Sequence, residues 1–258
     1  MQYTGSIDNR GILEIIRRSC SYVDARLMNH GYRVAYIVSE MLKPYFHEDA
    51  RKIRDVCFLA LLHDIGAYKT DEISKLLQFD TDDVLAHSVY GYLFIKYFSP
   101  LKKLSGAILL HHATWQALEH SEAFPEEIRL LAQVIHVADR IDVAMEVQHL
   151  TWEETAVLLK KDSGTKFSPV IAGLALACDF HTPFEGGTDA ESLYFQLFSE
   201  IPLTQDEITD YLKMLIFTID FRSRHTVTHT ITTTTISSEL AKRMGMNKEE
   251  CNQIICGS

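Results

Sequence analysis

Glycine and proline are scarce, at 12 and 6 of 258 residues, so the chain has few natural breaks and its elements should be long. No Asn-Gly-type turn joins two alternating runs, which removes the commonest short-range sign of a hairpin. Cysteine is sparse as well. Cys20, Cys57, Cys178, Cys251 and Cys256 make an odd set without a CxxC pair, which speaks against a disulfide framework and against a thiolate zinc site and suits free thiols in a reducing compartment. No apolar stretch approaches the roughly 18 residues needed to cross a bilayer. The opening MQYTGSIDNR is polar and lacks the apolar core of a signal peptide. The expectation is a cytoplasmic chain, or the cytoplasmic part of something larger, with no membrane partner. Basic residues are outnumbered, 25 against 35 acidic ones, for a formal net charge of -10. That balance disfavours a nucleic-acid polymer as partner. It leaves room for a small anionic ligand, because a metal or a few Arg and Lys side chains can reverse the field inside one pocket.

What the chain does have is helical periodicity. Between Tyr32 and Met41, Val34, Ile37, Val38 and Met41 recur at three- and four-residue steps and define one buried stripe. Similar patterns predict helices near 9–22, 50–64, 84–98, 101–112, 126–147, 152–161, 168–179 and 205–219. Asp71, Thr151 and Ser168 stand at expected N-caps, and Pro169 suits a first helical turn. FHTPFEGGTDAE, residues 180–191, is the clearest loop. The fold class is all-α. HTVTHTITTTTI, residues 225–236, is rich in β-branched residues that favour strands, while Val227, Ile231 and Thr234 also fit a helical stripe. Both readings stay open for this run.

Five pieces carry chemistry: NHGYRVA with His30, LLHDIG with His63 and Asp64, AHSVYGYLF with His87, LLHHATW with His111 and His112, and HVADRID with Asp139. Each lies at an end or edge of an apolar helical segment. Burying an uncompensated imidazole or carboxylate there is costly, and a bound metal satisfies the same lone pairs. Imidazole and carboxylate without thiolate suit Fe, Mn, Zn, Ni or Co rather than Ca. Six side chains on one ion would leave no open position. Two divalent transition-metal ions sharing Asp64 would leave room for water, and ions about 3.5–4 Å apart can acidify a water between them and clamp a phosphoryl group. His47, His120, His136, His149 and His181 lack this context and read as solvated or supporting residues.

The ordered series H…HD…H…HH…D resembles the HD superfamily of metal-dependent phosphohydrolases, and most closely its HD-GYP branch of cyclic-dinucleotide phosphodiesterases, over about residues 24–180. AQVIHVADRIDVAMEV resembles the helix that bears the last metal-binding Asp, and GTKFSPVIAGL is similar to the closing Gly-x-x-Phe-Asp-Pro segment, with Ser168 in place of Asp. The resemblance implies a helical bundle. It assigns His30, His63, Asp64 and Asp139 to one ion, and Asp64, His87, His111 and His112 to the other. It also implies a phosphodiesterase acting on cyclic di-GMP or cyclic GMP-AMP, with Asp64 and Lys69 in catalytic roles. Arg33, Lys69 and Arg140 would contact phosphate, with Lys102 and Lys103 as further candidates. Two departures stand out. The family's Lys after HD-x-G is Ala67, and HHATWQALEHSEAFPEE lacks the Gly-Tyr-Pro triplet. They support two rivals: a nucleotidase or other small-phosphate hydrolase, and a non-catalytic regulatory or dimerisation domain, with a homodimer as a possible assembly. Residues 1–204 are expected to form the metal-binding domain. Residues 205–258 are expected to hold a linker helix and the truncated start of a second HD-like domain, with His229 at its opening position and 226–245 helical.

Overall fold

The computed structural model describes residues 25–45, 49–69, 85–180, 203–204, 206–211, 213–214 and 226–257. Among them there is no strand, and the fold is an all-α bundle. Its helices are α1 (Ala25–Leu42), α2 (Ala50–Leu61), α3 (Leu85–Phe98), α4 (Ser105–Leu110), α5 (Trp115–Leu118), α6 (Glu126–Asp142), α7 (Trp152–Asp162), α8 (Pro169–Leu176), α9 (Thr226–Arg243) and α10 (Lys248–Gly257). The helices predicted near 9–22, the cap at Asp71 and nearly all of the 180–191 loop lie outside the described residues.

The apolar stripes explain the packing. On α1, Val34, Ala35, Ile37, Val38 and Met41 are buried against α2 and α6. On α3, His87, Ser88, Phe94 and Ile95 are buried at helical spacing. The middle of α6 is covered on every side. From Leu131 to Asp139 each residue is buried, so this helix runs through the centre of the bundle. It stops being regular earlier than expected: after Asp142 the backbone widens into a single π turn, Val143–Val147.

Caps follow local chemistry. Thr151 closes a full capping box with Glu154 at the start of α7. Ser168 occupies the N-cap of α8 but makes no side-chain cap bond. Its buried backbone N–H instead donates to Gln133 Oε1 at 2.8 Å, which ties α8 to α6. The β-branched run resolves as helix, since α9 spans Thr226–Arg243 and packs on α10. Propensity for strand is weak and context overrides it. The segment expected as a linker after residue 204 is docked on the bundle: Glu207 pairs with the buried Arg54 of α2, and Tyr211 stacks on Phe58 at 4.5 Å.

Two glycines permit close contact. A Cβ at Gly31 would lie 2.5 Å from the Leu61 carbonyl oxygen, and one at Gly66 would lie 2.0 Å from the His87 carbonyl oxygen. Only hydrogen fits at either position. The HD turn therefore sits backbone to backbone on α3, and α1 on the end of α2.

Candidate metal centre

The five motif pieces converge. His30 comes from α1, and His63 and Asp64 from the turn that ends α2. His87 comes from α3, His111 and His112 follow α4, and Asp139 comes from α6. Asp64 stands between two groups of imidazoles. Its Oδ2 lies 3.4 Å from His63 Nε2 and 3.9 Å from His30 Nε2. Its Oδ1 lies 3.5 Å from His87 Nε2 and 3.6 Å from His111 Nε2. His112 Nε2 is 3.0 Å from His87 Nε2, and His30 Nε2 is 3.3 Å from Asp139 Oδ1. Within each of the sets His30, His63, Asp64 and Asp64, His87, His111, His112, one donor atom per residue falls within 4.8 Å of the others. The described residues thus bring together all seven side chains singled out from sequence.

The donor atoms are prepared for a cation. His63 Nδ1 donates to the Ala60 carbonyl at 2.7 Å and His111 Nδ1 to the Ile108 carbonyl at 2.5 Å. Each bond keeps the proton on Nδ1 and turns an Nε2 lone pair inward. His30 Nδ1 faces Asp142 Oδ2 at 2.7 Å with the same consequence. His30 Nε2 and His63 Nε2 then stand 3.3 Å apart, two nitrogen acceptors facing one another with only a proton or a cation able to reconcile them. Asp64 Oδ1 and His111 Nε2 are buried without a hydrogen-bond partner among the described residues. Such orphans are rare unless an ion or water completes them. This donor set fits divalent metal.

Charge is distributed unevenly. Burial works to raise the Asp64 carboxyl, but the surrounding His63, His111 and His87 imidazoles hold it well below the usual carboxylate range. Burial works the same way on Asp139, and Arg140 together with His30 more than offsets it. Burial lowers His63, and lowers His87 to about 4. It also lowers His112, helped by His111. These imidazoles are neutral and able to ligate at physiological pH. His30 goes the other way. Burial opposes its charge, yet the bonds to Asp139 and Asp142 lift it to about 10.

The residues expected to meet phosphate are placed differently. Arg33 is engaged: its Nε and Nη2 donate to Asp142 Oδ1 and Oδ2 at 2.5 and 3.0 Å. Arg140 donates to Asp139 Oδ2 at 2.7 and 3.1 Å while keeping an exposed edge. Lys69 ends the turn Ile65–Lys69, and its side chain lies outside the described residues. Lys102 and Lys103 are exposed on a short 3-10 turn.

Two supporting residues escaped the sequence reading, and a third was left open. Asp142 is fully buried and lies one turn after Asp139 on the same face of α6; that i, i+3 spacing was the available signal. Gln133, also fully buried, donates to the Ala113 carbonyl at 2.8 Å just after the double histidine. His136, left as solvated or supporting, is buried on the supporting side. Its ring meets His112 and Phe167 edge-on at 6.3 and 5.2 Å. The segment after the double histidine turns into α5, whose backbone N–H groups at Trp115 and Gln116 donate to the Lys166 and Thr165 carbonyls at 2.9 Å.

A helical bundle with an H…HD…H…HH…D constellation at its centre defines a class, and comparison agrees. Residues 27–144 match the family model described as the HD domain. The 3'3'-cGAMP-specific phosphodiesterase 1 of Vibrio cholerae serotype O1 is 23% identical over 251 residues, covering 91% of this chain. The chain spans 58% of that relative's length. A solved structure described as a cyclic GMP-AMP-specific phosphodiesterase of V. cholerae matches with a TM-score of 0.57 at 14% identity, over 93% of this chain and 69% of that one. At this identity the likeness establishes the shared fold. No helix among the described residues is long and apolar enough to cross a membrane.

Proposed function

We propose that the chain is a metal-dependent phosphohydrolase that hydrolyses a cyclic dinucleotide, cyclic GMP-AMP or cyclic di-GMP. The observation that carries this reading is the division of the imidazoles by one carboxylate, Asp64, whose two oxygens face two separate donor groups. His30, His63, Asp64 and Asp139 would hold one divalent ion, and Asp64, His87, His111 and His112 the other. Such a pair, when bound, lowers the pKa of water and neutralises charge on a phosphoryl group.

The chain's own residues supply the rest. Asp64 keeps the two donor groups in register. The Ala60 and Ile108 carbonyls fix the tautomers of His63 and His111. Arg140 holds Asp139 by one oxygen, and its partly exposed guanidinium is the group offered to a phosphate. The substrate class rests on the relative's activity together with the donor set. The absence of the Gly-Tyr-Pro triplet and the α5 turn that follows the double histidine favour a second reading, a nucleotidase acting on a smaller phosphate.

The test is an assay of metal-loaded chain against cyclic GMP-AMP, cyclic di-GMP, linear dinucleotides and mononucleotides, with Fe, Mn, Zn and Ni compared. Opening of a cyclic dinucleotide to its linear form supports the proposal. Release of phosphate from mononucleotides alone would select the second reading. Tight binding without product would select a regulatory domain.

A further inference from the structure

We propose that Arg33 and Asp142 form a clamp that positions His30, and that this clamp makes the ion site of His30, His63, Asp64 and Asp139 the tighter of the two. The inference rests on the two-ion reading above and assigns work to two residues outside the ligand set.

The geometry is a two-rung ladder between neighbouring helices. On α1, His30 and Arg33 are one turn apart; on α6, Asp139 and Asp142 are one turn apart. His30 Nε2 meets Asp139 Oδ1 at 3.3 Å on the first rung, and Arg33 meets Asp142 on the second. His30 spans both, with Nδ1 on Asp142 Oδ2 at 2.7 Å. Both oxygens of Asp142 are taken up and the residue is fully buried. A buried carboxylate stays ionised only if it is paired and hydrogen-bonded, and the bidentate guanidinium does both. The ionised carboxylate in turn fixes the ring of His30 and makes its free nitrogen a better donor. Arg33 therefore acts on the ion through Asp142 and His30.

Among the described residues the other group has no counterpart. His111 is oriented by a neutral carbonyl, and His87 Nδ1 is buried without a partner among the described residues. Among the described residues its one carboxylate is Asp64, which it shares. The first group has Asp64 and Asp139 as direct donors and Asp142 behind them. A divalent cation gains more from that arrangement, and less ordering is left to be done on binding.

The experiment is calorimetric titration of Mn2+ into the metal-stripped full chain at fixed pH, with folding followed by circular dichroism. Wild type should bind in two steps. His112→Ala should abolish the weaker step alone, which assigns it. Asp142→Asn should weaken the tighter step by about 10–100-fold, the usual cost of losing such a partner, and leave the weaker step in place. Arg33→Lys keeps the charge without the planar fork and should weaken the same step by less. If Asp142→Asn does not fold, Arg33→Lys carries the test alone. A tighter step lost in His112→Ala, both steps weakened equally in the folded Asp142→Asn or Arg33→Lys chain, or a tight step unchanged in them, would overturn the clamp while leaving the two-ion reading standing. Wild type that binds no Mn2+ would overturn both.

Discussion

Asp64 and His30 show how much of the centre is decided by single side chains. Asp64 faces imidazoles of both groups, so Asp64→Ala should remove both ions and reduce turnover below detection. Metal analysis of the purified variant checks this, and full retained activity would sink the bridging role. At His30 a proton occupies the place that a cation would take. The folded group is raised from 6.5 to about 10, so in the metal-stripped chain its contribution to stability is complete below pH 6.5 and is lost as pH rises through about 10. At pH 7–8, therefore, loading the His30 group should release close to one proton. The His87 and His112 imidazoles, already neutral there, should add none. Calorimetry in buffers of different ionisation enthalpy measures the number, and a value near zero would mean that His30 is not the protonated ligand.

The helices were readable from sequence where an apolar stripe ran through them, as in α1, and where a cap marked the start, as at Thr151 of α7. The reading stayed open at HTVTHTITTTTI and failed at the end of α6. HTVTHTITTTTI has strand propensity, set against a helical stripe and the expected helix over 226–245, and it forms the helix α9. The early end of α6 at Asp142 has no local signal, since Val143 and Ala144 continue the apolar pattern into the π turn. The glycines of HGYRVA and HDIG were legible as motif letters; their steric reason appears only when α1 meets α2 and the HD turn meets α3. Gly66→Ala would place a methyl carbon 2.0 Å from the His87 carbonyl oxygen and 2.4 Å from the Gly91 nitrogen. Backbone cannot yield as a side chain does, so the cost should be at least the roughly 1–3 kcal/mol of ordinary overpacking. The expected outcome is a lowered Tm and weakened metal binding in both groups. A Gly66→Ala chain with wild-type Tm and metal content would refute the close-packing account.

For the whole molecule, the seven ligand-type residues could be collected from sequence because each was polar chemistry at the end of an apolar run. Gln133 could not, and Asp142 showed only its spacing from Asp139, because their partners, Ser168 and Arg33, are distant in the chain and meet them only in the fold. The same is true of the docked segment 206–211. Glu207 accepts from the buried Arg54 at 2.5 Å, and this pairing, with the Thr204 backbone N–H, outweighs burial and holds its carboxyl below the usual 4.5. Its contribution is present above pH 4.5 and lost as pH falls through the lowered value. Glu207→Gln should cost about 1–3 kcal/mol at pH 7 by removing the charge and one of the two oxygens that accept from Arg54 and the Thr204 N–H. The difference from wild type should shrink well below pH 4.5, as denaturant melts at the two pH values will show. Finally, main chain presses on main chain where the HD turn meets α3. The interval between the two halves of the centre is thereby written into the backbone. Exposed side chains such as Thr114, Gln116 and Thr165 take no part in that contact. A chain built this way can change what it admits while keeping the spacing of its chemistry constant.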